Sequence, residues 1–593
     1  MNFWIISTHI VIGEDYYNRA LPFIIDESHG CPEKKKVDPK VSVPSHPQRS
    51  GRIPDSLPGL ARGEPGPAGA PEACWGGKLD RLAAGLRSIA VAILMGEIGD
   101  EAALEAAKKR LSAQLGLASL PSNADILGQA RAGEREALKM LIRKPTRTLS
   151  GVAVIAAMTS PARCPHGTCV PCPGGISNLS PQSYTGKEPA ALRACQHRFD
   201  PYDQVNARLA QLDEIGHPLD KSELIIMGGT MTSRPLGYQN WFVKRCLQAM
   251  NDFSDGRESS GWQPFESVAR ANESALVRNI GTTFETRPDW CRPRDIEEML
   301  RLGATKVELG VQSLDEDLLV RMKRGHTVED AARASANLRE AGLKVGFHMM
   351  PGLPGSSQQR DLAVFRALFS DSRFRPDYLK IYPTLVIEGT ELYRQYLRGE
   401  YTPLGDEDAA ELVSRIKEIL PRYVRLQRVQ RDIPSPLIVA GVKKSNLRQL
   451  ARQRLEDRGS SCRCIRCREA GLRRVVQAEP RLVHESYIAS GAREHFLSFE
   501  SEDDVLVGFL RLRLSSSARI RELHIYGPMV PIGSREDGWQ HRGYGARLME
   551  EAERLAQEAG YPLIEVTSGI GARGYYRRRG YDLCPPYMAK RLR

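Results

Sequence analysis

From Gly151 to Tyr382 short β-rich runs alternate with helical stretches, and this alternation limits the fold more than any other feature of the 593-residue chain. Strands are expected over residues 152–157, 224–227, 280–284, 306–311, 345–349 and 378–382, with helices such as 329–341 between them. Serial βα units form a parallel sheet, so the expected fold class is α/β with a partial, TIM-like barrel of six units. Such barrels carry their reactive loops beyond the C-terminal ends of the strands.

The loop after the first expected strand reads Arg163-Cys164-Pro165-His166-Gly167-Thr168-Cys169-Val170-Pro171-Cys172-Pro173-Gly174-Gly175. Three thiolates within nine residues can hold three irons of a [4Fe-4S] cluster and leave the fourth iron open to a small ligand. A structural zinc loop is the alternative, disfavoured because a fourth ligand is missing. Met227-Gly228-Gly229-Thr230 ends the second expected strand with a turn whose backbone a ligand can approach closely. A second group, Cys462, Cys464 and Cys467, is too crowded for disulfides and suits tetrahedral zinc, with another iron–sulfur cluster as the competing reading. Grouped thiols imply a reducing compartment. The apolar run at residues 3–12 is short, lacks a basic flank and is followed by Glu14 and Asp15, so no signal peptide or membrane span is expected and a cytoplasmic protein is.

Five parts are expected along the chain. Residues 1–75, rich in Pro, Gly and charge, read as a disordered tail. Residues 76–147 read as a helical basic unit, 148–432 as the barrel, 433–490 as a linker holding the second cysteine group, and 491–593 as a separate α/β unit. The 84 Lys and Arg against 72 Asp and Glu give a net charge of +12, which suits a polyanionic partner. Arg135, Lys139 and Arg143 recur every four residues on an expected helix ended by Pro145, continued by Lys144 and Arg147; they make a phosphate-contacting face or an ordinary solvated one.

In the last unit the expected strand Glu522-Leu523-His524-Ile525-Tyr526 leads to Gln540-His541-Arg542-Gly543-Tyr544-Gly545-Ala546 and then to a helix. A glycine turn opening a helix offers free amides to a pyrophosphate. Downstream stand Tyr575 and Tyr576, beside a ligand or packed in a core. This unit resembles a GNAT acetyltransferase. The cysteine loop, with Gln182-Ser183-Tyr184-Thr185-Gly186-Lys187-Glu188-Pro189, Arg324-Gly325-His326-Thr327 and His348-Met349-Met350-Pro351-Gly352, resembles the catalytic subunit of Elongator, and the likeness spans nearly all of residues 78–593. It departs in the short gap between Cys164 and Cys169, and in Pro171 where many radical S-adenosylmethionine (SAM) loops carry an aromatic residue.

The resemblance implies a radical SAM domain and a GNAT domain that together convert tRNA wobble uridine-34 to 5-carboxymethyluridine with acetyl-CoA. Cys164, Cys169 and Cys172 would hold the cluster, and Gly228 and Gly229 would meet SAM. Lys221, which otherwise reads as a surface lysine, would contact acetyl-CoA together with Glu522, Leu523, His524, Ile525, Gln540, Gly543, Tyr544, Gly545, Ala546 and Tyr575; Tyr576 would stand next to the CoA sulfur as a catalytic residue. Cys462, Cys464 and Cys467 would bind zinc. The expected partners are tRNA and an electron-donor protein; a homodimer is possible and no membrane is involved. Two other readings remain open here, a protein-lysine acetyltransferase with a structural iron–sulfur cluster and a tRNA-binding scaffold.

Overall fold

In the computed structural model of the chain, residues 73–592 are described apart from 132, 136, 144–147, 149, 257, 474–478 and 527–541. The expected tail therefore lies outside the described residues up to position 72, and so does Gln540. No described helix is long and apolar enough to cross a membrane.

Strands β1 (Ala153–Met158), β2 (Lys221–Met227), β3 (Arg278–Thr286), β4 (Ala304–Gln312), β5 (Lys344–Met349) and β6 (Tyr378–Ile381) all fall where the alternation places them. β7 (Val386–Ile387) pairs with β9 (Ile438–Ala440) in a small separate ladder. β8 (Arg425–Arg428) joins the main sheet as an unforeseen seventh strand, giving the order β1-β2-β3-β4-β5-β6-β8. Every neighbouring pair is parallel and the ends do not meet, so the sheet is a half-barrel.

The strands are two-faced in a regular way, because successive side chains of a strand point to opposite faces. Leu224, Ile226, Val307, Leu309, Val345, Phe347, Leu379, Ile381 and Leu426 face outward into the main core, under helices such as Pro201–Glu214, Leu236–Asp252 and Val328–Glu340. Between them Glu223, Lys306, Glu308, His348, Lys380 and Gln427 face a central cavity.

The second sheet comprises β10 (Arg481–Ala489), β11 (Ala492–Glu500), β12 (Leu506–Leu514), β13 (Ala518–Ile525), β14 (Leu563–Val566), β15 (Asp582–Cys584) and β16 (Tyr587–Arg591), in the order β10-β11-β12-β13-β14-β16-β15. It begins inside the stretch expected to be linker, because β10 pairs along its whole length with β11. Helix Tyr544–Glu558 buries Leu548, Met549 and Ala552 on it. The two sheets meet across a buried ion network. Arg521 of β13 donates to Asp377, the residue before β6, at 2.7 and 2.8 Å and to Glu494 of β11 at 2.8 Å. Their backbones touch as well: a Cβ on Gly569 would lie 2.0 Å from the Ile280 carbonyl oxygen of β3, so this turn admits only glycine.

At the N-terminal side α1 (Ala73–Leu94), α2 (Glu101–Leu115) and α3 (Asn123–Leu127) pack around Leu86, Ile89, Leu104, Leu111 and Ile126. The expected basic helix over residues 135–143 does not form. Apart from the 3-10 turn Lys139–Leu141, the described residues there are turns closed by i to i+3 bonds, such as Leu138 N to Arg135 O at 3.2 Å. Leu138 and Leu141, three residues apart, are both fully buried, and that spacing suits the tighter turn. Arg135, Lys139 and Arg143 are exposed but do not line one helical face, and Arg135 pairs with Asp213 at 2.7 Å.

Candidate active site between the two sheets

One cavity of about 1850 Å³ passes through the half-barrel, with the cysteine loop at one end and the second sheet at the other. The ends follow from the topology. Cys164, Cys169 and Cys172 follow the C-terminal end of β1, and Gly228–Gly229 follow that of β2. β13 meets the opposite ends of the strands: Glu522 accepts from the hydroxyl of Tyr378, the first residue of β6, and the Tyr526 hydroxyl accepts from Arg425, the first residue of β8, at 2.7 Å.

At the cysteine end all three thiols line the cavity. Cys164 Sγ lies 3.8 Å from the Thr230 hydroxyl, Cys169 Sγ 3.0 Å from His166 Nε2, and Gln182 Nε2 donates to Cys172 Sγ at 3.4 Å. Burial pushes the Cys164 thiol up, with the Thr230 hydroxyl opposing. His166 is held down at about 3 by burial and by the Arg287 and Arg324 guanidiniums, so its ring is neutral. Arg324 donates to Cys169 Sγ at 3.6 Å, while its buried Nε makes no hydrogen bond among the described residues. This is a cationic wall that suits an anionic thiolate cluster. Cys462, Cys464 and Cys467, by contrast, bring their sulfurs within 4.8 Å of one another. A single tetrahedral ion would need sulfurs about 3.8 Å apart, given a metal–sulfur bond of about 2.3 Å, so this second group suits a single ion. Gly228, with φ +121, brings its backbone so near β1 that a Cβ would sit 2.2 Å from the Thr159 hydroxyl. Gly229 and Thr230 of this turn line the cavity, whereas Gly228 packs behind them and is not part of the lining.

At the other end β13 pairs with β14 only over Ala518–Ile520 and then parts from it. Leu523, His524 and Ile525 line the gap between the two strands; where neighbouring strands part, backbone groups turned into the gap can bond an extended ligand. Gly543, at φ +86, opens helix Tyr544–Glu558, and Gly543, Gly545 and Ala546 line the same cavity. Tyr544 instead packs in the domain core beside Phe499. Tyr575 Oη is buried, makes no hydrogen bond among the described residues and lies 3.0 Å from where a Gly545 Cβ would be, with Arg579 over the ring. Tyr576 belongs to the core and lines the cavity as well. Burial raises Tyr576 strongly. Glu522 is engaged by Arg511 at 2.8 Å; burial alone would raise it, but Lys344, Arg511 and the Tyr378 hydroxyl hold it at about 2. His524 Nε2 lies 3.1 Å from the Ser150 carbonyl. Lys221 stands at the start of β2 on the barrel wall of the cavity, its ammonium lowered by burial against the pull of Asp220.

Sequence reasoning missed the polar row inside the half-barrel. Lys306 bridges Glu223 at 2.8 Å, Lys380 bridges Glu285 at 3.1 Å and contacts Glu308, and His348 Nε2 lies 2.9 Å from Glu308. Its signal was present in Lys306-Val307-Glu308-Leu309, a period-two alternation inside a strand buried on both faces.

Four families match in series: the ELP3 N-terminal domain over residues 83–149, the Radical SAM superfamily over 158–366, the Radical SAM C-terminal domain over 376–457 and the Acetyltransferase (GNAT) family over 466–581. A radical SAM domain implies SAM and a [4Fe-4S] cluster, and a GNAT domain implies acetyl-CoA. The tRNA uridine(34) acetyltransferase of Methanocaldococcus infernus is 49% identical over 496 residues, covering 80% of this chain and 92% of that protein. Elongator complex protein 3 of Homo sapiens is 42% identical over 524 residues, covering 84% and 94%. The solved structure of the archaeal Methanocaldococcus infernus Elp3 with an N-terminal deletion superimposes with a TM-score of 0.65 at 45% identity, covering 75% of this chain and all of that one. With relatives this similar matched over nearly their full length, the chain belongs to the family of the tRNA uridine(34) acetyltransferases and Elongator complex protein 3.

Proposed function

We propose that this chain is a tRNA uridine-34 carboxymethyltransferase, which attaches the acetyl carbon of acetyl-CoA to C5 of the wobble base to leave 5-carboxymethyluridine. The observation that carries the proposal is the single cavity shared by the cysteine loop and the parted strands β13 and β14. A lysine acetyltransferase has no use for a barrel that opens its donor site onto a cluster loop.

A cluster with bound SAM supplies a carbon-centred radical able to take hydrogen from an unactivated methyl group. The chain's own residues do the holding and aiming. Cys164, Cys169 and Cys172 hold three irons, while Arg324 and Arg287 answer the charge of the thiolates. The turn Gly228–Gly229, which meets the cavity at Gly229, takes the amino-acid end of SAM. Amides of Gly543, Tyr544 and Gly545 at the start of a 15-residue helix hold the CoA pyrophosphate, beside Ala546, whose own amide donates to the Gly543 carbonyl at 2.9 Å. The strand Leu523–Ile525 on the cavity wall aligns the pantetheine arm, Lys221 steadies it from the barrel side, and Tyr575 and Tyr576 close over the sulfur end. Cys462, Cys464 and Cys467 hold a structural zinc, for which their sulfurs, within 4.8 Å of one another, are suitably grouped. The protein works in the cytoplasm on tRNA and takes its electron from a donor protein.

Acetyl-CoA labelled in its methyl group, offered with SAM and a reductant to a mixture of tRNA and histone, tests the proposal. The label should enter tRNA; label confined to histone lysines would return the chain to protein acetylation.

A further inference from the structure

Once the methyl carbon of an acetyl thioester is joined to uridine, water must still cleave the thioester, and that step calls for a base to take a proton from the attacking water. The cavity wall holds a group built for this. His348, the fifth residue of β5, places Nε2 2.9 Å from Glu308. Glu308 is fully buried, with Lys306 at 3.5 Å on one side and Lys380 on the other. The two ammonium groups answer the carboxylate's charge. The ring meets Glu308 through Nε2, and with Nε2 donating to the carboxylate the lone pair stands on Nδ1. Among the described residues Nδ1 makes no hydrogen bond, and the side chain lines the cavity. Tyr382 packs edge-on against the ring, centroids 5.6 Å apart, which fixes its plane.

Glu285, Glu308 and His348 bring ligand atoms within 4.8 Å of one another, a spacing that would also suit a metal ion. Lys380 already stands against both carboxylates and supplies the cation there.

Height in the barrel assigns the step. His348 pairs in register with Lys380 and is followed by one more β5 residue, so it lies below the strand ends that carry the cysteine loop. That places it between the cysteine loop at one end of the cavity and the second sheet at the other. An acyl arm rising from the second sheet toward a base at the cysteine end passes this polar row with its carbonyl carbon beneath the reacting methyl carbon.

We propose that His348, positioned by Glu308, is the general base for hydrolysis of the thioester after the carbon–carbon bond has formed; this rests on the carboxymethyltransferase reading. The water oxygen bonds to the carbonyl carbon and the carbon–sulfur bond breaks. The water proton passes through Nδ1 to the departing sulfur, giving the carboxymethyl acid and free CoA. No electron changes hands.

The CoA thioester of 5-carboxymethyluridine, made chemically and offered to protein without iron or SAM, isolates this step from the radical chemistry. The parent should release CoA thiol. His348→Gln should slow kcat by about a hundredfold or more with KM and melting midpoint unchanged, and added imidazole should restore part of the rate to His348→Ala. Parental rates in both variants, or a parent no faster than buffer, would overturn the assignment. In the complete reaction His348→Gln should leave tRNA carrying the CoA thioester, read as a nucleoside mass. Absence of that adduct in the variant while the parent makes product would move the base to an earlier step and overturn the proposal. Absence of any carbon–carbon product in the parent would instead count against the uridine reading, with the synthetic thioester still deciding the role of His348.

Discussion

Replacing Asp377 with alanine should do more damage to the joint between the two sheets than any other single change there. Its carboxylate accepts two bonds from Arg521 and one from the Val345 amide at 2.9 Å, and it lies 3.5 Å from both Arg339 and Arg511, with all of these side chains buried. Truncation leaves Arg339, Arg511 and Arg521 with Glu494 and Glu522 as their carboxylate partners, and Glu494 is already shared with Arg513. Breaking a buried pair by removing one partner costs about 3–5 kcal/mol, a large part of the roughly 5–15 kcal/mol that keeps a domain folded. Urea unfolding followed by far-UV circular dichroism should show the loss as a lower midpoint, with the transition broadened or split as the second sheet comes away first. The double variant Asp377→Ala/Arg521→Met should recover part of the loss, because the strongest uncompensated charge leaves with its partner. The sign with pH is fixed too. Burial alone would raise the Asp377 carboxyl, but Arg339, Arg521 and Arg511 hold it well below the carboxylate range. Its contribution is therefore complete above an unfolded value of about 4 and fades as the pH falls below it. A cost under about 1 kcal/mol, or a double variant losing the sum of the singles, would refute the claim that this network locks the sheets.

Changing Cys164, Cys169 and Cys172 together to alanine should abolish the brown absorbance and the iron of anaerobically prepared protein; iron content equal to the parent's would contradict the cluster assignment. Cys464→Ser should lower the melting midpoint and remove zinc together, and loss of zinc without loss of stability would show that the metal is not structural. Reversing the charges of Arg135, Lys139 and Arg143 should weaken tRNA binding and flatten its salt dependence by roughly one log unit per lost phosphate contact. Arg135 should contribute least because Asp213 already engages it, and a variant with the parent's affinity and salt slope would mark this surface as merely solvated.

The barrel strands were legible because each shows a short apolar run to a covered outer face, and the glycine and cysteine loops could be placed because parallel strands put such loops at one end. β8 was not legible. Its four residues, Arg425-Leu426-Gln427-Arg428, carry one outward apolar side chain, and their polar atoms find partners distant in sequence, such as Glu469 and Tyr526. Arg135, Lys139 and Arg143 misled by periodicity alone: four-residue spacing is also met in turns when Leu138 and Leu141 set the anchoring interval at three. His348 and Glu308 lie 40 residues apart in sequence, and only the parallel register of β4, β5 and β6 brings them with Lys380 to one wall.

The central claim, that acetyl-CoA and uridine meet through one cavity, is tested most directly with trideuterated acetyl-CoA, SAM, a reductant and tRNA. Mass spectrometry of the products should show 5-carboxymethyluridine retaining two deuteriums and 5′-deoxyadenosine gaining one. Deuterium absent from 5′-deoxyadenosine, or acetyl groups arriving in tRNA with all three deuteriums intact, would contradict it.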